Sequence, residues 1–345
     1  MSAVRLGLIA RADSRGLGVQ TKAVFDNLRP DATLVVDCPS ANPLPLRHDW
    51  YPDATWVKGL PTEGDLRCWL ADVDVVYTAE TGYGQALWSE ADRAGVRTVL
   101  HANYEFIDRR DRPTLWAAPS MWHFDEFPEP RRFLPVPIDL TQFPTRQPQA
   151  RATRFLHVIG RPAVHDRNGT ADLLDALDYV QSPIEVTLTC QDEHYVSGLL
   201  ASRRLPRNVH MHVRTGDVAN NVDLYADQDV LVMPRRFGGL CLPVNEALGA
   251  GMPVIMPDIS PNNSWLPSDW LVPAESRGEF RAKTRVEIFS VDHRALAAKI
   301  DQLATDPQFY SASADTAVRM AKELSWSEQA PAYRKLFADL TEGAA

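Results

Sequence analysis

The sequence predicts an α/β protein made of two doubly wound domains with parallel sheets. Its 345 residues suit two domains of about 100–200 residues each. Short apolar runs alternate with helix-like stretches in two separate series, the pattern of parallel strands crossed by helices on both faces. Between the series, residues 134–153 (LPVPIDLTQFPTRQPQARAT) are rich in Pro, Gln and Thr and read as a linker.

In the first series, residues 4–10 (VRLGLIA) read as a buried strand and 19–28 as the helix after it. Residues 33–38, 73–80 and 97–104 are further strands, and residues 84–95 are a helix that stops at Gly95. In the second series the strands are 154–160, 184–190, 208–213, 229–234 and 252–257. The intervening helices are 169–180, 222–228 and 242–251. The tail, 325–340, is an amphipathic helix with Trp326, Tyr333, Leu336 and Phe337 on its apolar stripe. These readings divide the chain into residues 1–145, residues 151–322 and a closing helix over 323–345 expected to pack back on the first domain. In doubly wound sheets, ligands bind beyond the carboxyl ends of the strands, so the two domains are expected to turn those ends toward a common cleft.

Composition narrows the function. Hydrophobic residues make up 45% and charged residues 23%, the balance of an ordinary globular protein. No apolar run is long enough to span a membrane, and the apolar stretch at 6–10 is too short for a signal-peptide core, so a cytoplasmic location is expected. Cys38, Cys68, Cys190 and Cys241 are widely spaced and fit free thiols. A net charge of −9 argues against a general nucleic-acid binder, although arginine clusters at 108–113, 129–133 and 201–207 leave room for a local basic surface.

The most informative segment is residues 234–258, PRRFGGLCLPVNEALGAGMPVIMPD. A strand runs out at Pro234, a glycine-containing loop follows, and Pro243 suits the first turn of a helix. A helix start favours an anion such as phosphate. Gly238 and Gly239 permit close backbone approach, and Glu246, one turn in, suits hydroxyl donors rather than phosphate. A diphosphate at the helix start with a ribose beside Glu246 satisfies both features. An ordinary helix-start glutamate in a βα unit satisfies the spacing alone.

Taken together, several segments resemble the family 4 retaining glycosyltransferases, including phage-encoded members, across nearly the whole chain. Beside residues 234–258, these are FLHVIGRPAVHDRNGTADLLDAL, FLPVPIDLTQF and LSWSEQAPAYRKLF. The resemblance implies the GT-B fold of two Rossmann-like domains and transfer of a sugar from a nucleotide-diphosphate donor to a hydroxyl. By the same resemblance, Arg161 matches the arginine that contacts the donor diphosphate, and Glu246 the glutamate that binds the ribose. The family's lysine falls on Asn168, so Arg167 is the substitute cation, with a plain surface arginine as the alternative. The family's first glutamate, which helps hold the donor sugar, falls on Gly238 and is absent. Backbone N–H groups of Leu240, Cys241 and Leu242 are expected to meet phosphate and sugar oxygens.

In the first half, Gly16 and Gly18 resemble the glycines that approach the donor phosphates, with a plain βα turn as the alternative. His101 resembles a histidine near the donor sugar, with a core histidine as the alternative. Glu80, Tyr83 and Glu105 are acceptor-side candidates at strand ends. No metal or other cofactor is expected to be essential. The acceptor is left open among a glycan, a lipid, a protein and a modified DNA base, with nucleic acid disfavoured by net charge. A non-catalytic nucleotide-sugar-binding protein and a GT-B sugar-nucleotide epimerase are the alternative readings.

Overall fold

A computed structural model describes residues 4–38, 44–144 and 149–343. The chain forms two compact units. The first comprises Met1–Val136, Ala282–Thr284 and Trp326–Ala345, and the second Pro137–Arg281 and Arg285–Ser325.

The first unit contains β1 (Leu6–Ala10), α1 (Gly16–Leu28), β2 (Ala32–Asp37), β3 (Thr55–Lys58), α2 (Glu63–Leu70), β4 (Val75–Ala79) and α3 (Ala86–Ala94). It continues with β5 (Arg97–His101), β6 (Leu115–Ala118) and β7 (Arg131–Phe133). The seven strands are all parallel, in the order β3-β2-β1-β4-β5-β6-β7. Every residue of β1 and β4 is buried, as expected for strands covered on both faces, and this is why they read as unbroken apolar runs. Thr62 and Asp65 cap α2 reciprocally.

The second unit begins with β8 (Arg154–Gly160), α4 (Thr170–Leu177), β9 (Ile184–Cys190), α5 (Glu193–Leu200) and β10 (Val209–Thr215). Next come β11 (Val230–Val232), α6 (Leu242–Gly249), β12 (Val254–Pro257) and β13 (Leu271–Val272). These six strands are parallel, in the order β10-β9-β8-β11-β12-β13. An antiparallel hairpin of β14 (Ala274–Arg281) and β15 (Arg285–Val291) and the helices α7 (His293–Thr305) and α8 (Pro307–Glu323) follow.

The tail helix α9 (Trp326–Thr341) belongs to the first unit. Trp326, Tyr333 and Phe337 join the core around Leu8, Val35 and Tyr77, with Leu336 partly buried against it. The Tyr333 hydroxyl donates to the Pro135 carbonyl at 2.8 Å.

Two sequence expectations change. The stretch after Leu134 is not a loose linker where it is described. Ile138 N–H donates to Leu324 O at 2.8 Å, and the Phe143 ring covers Gly249 so closely that a Cβ there would lie 2.7 Å from it. Its apolar residues are drawn into the second unit's core, which overrides the loop-like composition. Residues 145–148, including the expected boundary at 145, lie outside the described residues. The helix expected over 222–228 is a short 3-10 turn, Asn221–Leu224. Its segment is too short and too polar to sustain α-helical bonding.

Candidate functional site

In both sheets the strand order reverses beside the first strand of the unit, between β1 and β4 and between β8 and β11. Loops leaving such a switch point diverge and open a crevice. In the second unit these are the loops 161–169 and 233–241. They are knitted together, since Arg236 N–H donates to Arg167 O at 2.8 Å and the Arg236 guanidinium donates to His165 O at 3.1 Å. Gly169, at φ +72°, passes so close to the second loop that a Cβ would lie 1.9 Å from Pro234 O.

The helix starts behind the two loops differ. At α4, the Asp166 carboxylate accepts from Thr170 N–H at 3.0 Å and Ala171 N–H at 2.8 Å, so a carboxylate of the chain already occupies that end. At α6, the N-cap residue Cys241 makes no side-chain cap, and Pro243 stands within the first turn. The loop residues Gly239 to Cys241 lead into this start, and Leu242 is the first residue of α6.

Two guanidinium groups face the loop glycine. Gly238 has φ +112°, and a Cβ there would lie 2.6 Å from an Nη of Arg167 and 2.6 Å from an Nη of Arg235. The Arg167 guanidinium also lies over the Phe237 ring, 5.5 Å from its centroid. Arg235 is buried, and its Nε donates to Phe237 O at 2.9 Å.

Glu246 is one turn into α6 and partly buried. Tyr225 donates to one carboxylate oxygen at 2.5 Å, and Asn221 approaches the other at 3.4 Å. Burial pushes the Glu246 carboxyl above its ordinary value, against these two bonds. Glu246 is not sealed in an apolar interior. It is a held carboxylate with lone pairs to spare, since each oxygen offers about two acceptor sites.

Of the other residues singled out, Arg161 is exposed at the end of β8. Asn168 spends its amide on that strand end, donating to Val158 O at 3.2 Å and Ile159 O at 3.0 Å. Arg235 was passed over in the sequence, as were Tyr225 and Asn221, which hold Glu246. The available signal for Arg235 was an arginine pair directly after a strand with no acid in the following loop.

In the first unit, Gly16 opens α1, and a Cβ on Gly18 would lie 1.9 Å from Asp13 O. That glycine is required by the loop's own backbone. His101 has the geometry of a core histidine. It is 1% exposed, its Nδ1 is 2.6 Å from the Tyr77 hydroxyl, and burial pushes it down to about 4. A neutral, enclosed ring is poorly placed to meet a ligand. Glu80, at φ +59°, accepts from Asn103 at 3.4 Å, and Glu105 is buried nearby in sequence. Tyr83, at φ +52°, is buried, and its hydroxyl has no partner among the described residues. Side-chain residues at positive φ carry strain, which concentrates at functional sites.

Among the described residues, no group of three or more His, Cys, Asp or Glu is placed to hold a metal, and no helix is long and apolar enough to cross a membrane.

Residues 153–306 match the family model of group 1 glycosyl transferases. The whole chain is similar in structure to Anabaena Alr3699/HepE, crystallised in complex with UDP and glucose, with a TM-score of 0.71 and 12% identity over 97% of this chain and 100% of that one. It is also similar to a sucrose-phosphate synthase from Thermosynechococcus elongatus (TM-score 0.68, 14% identity, 99% of this chain and 100% of that one). A third similar structure is AviGT4, a glycosyltransferase involved in avilamycin A biosynthesis (TM-score 0.63, 15% identity, 99% of each chain). A sequence comparison with curated proteins finds no match. The chain therefore has the GT-B fold, two Rossmann-like units with parallel sheets. The segment that resembles group 1 glycosyl transferases, residues 153–306, lies almost entirely in the second unit.

Proposed function

We propose that this protein is a retaining glycosyltransferase that moves a sugar from a nucleotide-diphosphate donor to a hydroxyl acceptor. The observation that carries the reading is the start of α6. A helix N-terminus without a side-chain cap follows a glycine loop facing Arg167, and Glu246 stands one turn behind it. The diphosphate sits at the helix start, where unpaired N–H groups and an arginine stabilise the charge that grows on the leaving group. The ribose hydroxyls donate to Glu246, which Tyr225 and Asn221 hold in place. Glu80, Tyr83 and Glu105 serve the acceptor. In this reading arginines neutralise the leaving group, so activity is expected to persist in EDTA.

Release of nucleoside diphosphate from UDP-, GDP-, ADP- and dTDP-sugars tests the proposal. UDP-glucose comes first, because HepE binds UDP with glucose. NMR of the product anomer tests retention. Tight donor binding with no turnover against hydroxyl acceptors favours a non-catalytic binder, and conversion of the donor without an acceptor favours an epimerase. An inverted product anomer overturns retention.

A further inference from the structure

We infer that Arg235 is a ligand-binding residue and that, with Arg167, it forms a paired-guanidinium seat for an oxyanion over Gly238. The inference rests on the donor-binding reading above and adds a residue and a charge requirement to it.

Arg235 is only 6% exposed. Its Nε bond to Phe237 O fixes the plane of the group, and its terminal nitrogens make no bond to the described residues. No carboxylate among the described residues lies within ion-pair distance of it. Asp172, which lies 3.9 Å from Arg236, is engaged by Ser290 at 2.7 Å and His293 at 3.1 Å. A buried guanidinium without an anion is costly. An Nη of Arg167 and an Nη of Arg235 converge on the same point beside Gly238. An oxyanion bound there meets both guanidiniums and supplies the anion that Arg235 lacks.

The glycine is part of the device. Any side chain at residue 238 would fill the space into which both guanidiniums point, and φ +112° disfavours one in any case. The planar fork of arginine matches an anion with two or more oxygens, accepting in parallel. Two groups of a donor have that chemistry, the diphosphate and a carboxylate on the transferred sugar.

Calorimetric titration of the full chain tests the seat, using pyrophosphate, UDP, GDP, ADP, dTDP, UDP-glucose and UDP-glucuronate as probes. Arg235→Gln is expected to weaken binding at least tenfold while its ligand-free melting temperature stays equal or rises, because a buried charge has been removed. Arg235→Lys keeps the charge, loses the fork and is expected to fall in between. If the diphosphate is the bound group, the loss extends to pyrophosphate and to every nucleotide the wild type binds. If a sugar carboxylate is the bound group, the loss is confined to UDP-glucuronate. Unchanged affinities in Arg235→Gln overturn the seat and leave the donor reading standing. Melting temperatures that fall in both variants without a change in affinity make Arg235 structural and also overturn it. Pyrophosphate binding that depends on Arg235, with no nucleotide bound by the wild type, keeps the seat and removes the donor reading. No binding of any probe by the wild type removes both.

Discussion

In the first unit, the turn after β1 closes on the chain itself. The backbone of Gly18 lies against the Asp13 carbonyl, and Arg11 is paired with the buried Asp13 carboxylate at 3.0 Å. In the second unit, the turn after β11 is made of the same kinds of residue, arginine and glycine, with the opposite outcome. Gly238 faces two guanidiniums, and Arg235 has no acid to pair with among the described residues. The helix starts of the second unit repeat the contrast, with α4 filled by Asp166 and α6 without a side-chain cap. A glycine near a helix start therefore does not identify an anion site. What identifies one is whether the chain has already supplied the anion.

The largest effect separates the two glycines. Gly18→Ala places a methyl group 1.9 Å from a backbone oxygen, and the expected cost is about 4 kcal/mol of stability, read as a lower denaturant midpoint of the first unit. A wild-type midpoint would mean that this turn is as open as the second. The next effect concerns the enclosed His101. Its pKa in the folded state is depressed from 6.5 to about 4, so the stability it contributes is fully present above pH 6.5 and is lost as pH falls from there toward 4. The loss amounts to about 3 kcal/mol. His157, also buried, shifts in the same direction, so the measurement is the difference between wild type and His101→Gln in acid denaturation.

In the second unit the expected effects fall on binding. Arg167→Ala removes a charged contact and is expected to weaken binding of the preferred nucleoside diphosphate by about 2 kcal/mol, a factor of about thirty. A matching loss of thermal stability would mark it as a structural arginine. The smallest effect is that of Glu246→Gln, at about 1.5 kcal/mol in nucleotide affinity. Its signature is the pH profile. The Glu246 carboxyl titrates above its ordinary 4.5 and accepts ribose hydroxyls more strongly when ionised, so affinity falls as pH drops through that raised value. Glu246→Gln is expected to remove this component and leave only the titration of the phosphates.

Much of the fold was legible because parallel strands covered on both faces are nearly continuous apolar runs. Residues 4–10 and 73–80 contain β1 and β4, and 154–160 coincides with β8. The tail helix was legible through its period, which placed Trp326, Tyr333 and Phe337 on one stripe. The short strand β3 and the edge strand β7 were missed, because they are partly or largely exposed and carry no unbroken apolar run. At the candidate site, Glu246 and the α6 start stood out because a proline, glycines and a lone acid mark a βα turn locally. Asn168 was named only as the place of the family's lysine, and Arg235 was passed over, since its meeting with Arg167 over Gly238 joins two loops far apart in the chain.

The sequence by itself determined two α/β units, their strand–helix alternation and the helix start with a carboxylate one turn inside. Those follow from period and turn chemistry, which act over a few residues. Only the tertiary structure decided that Arg235 is buried with no acid beside it among the described residues, and that Arg167 meets it over Gly238. Charge pairing depends on distances that packing of separate loops sets, and local order along the chain does not encode them.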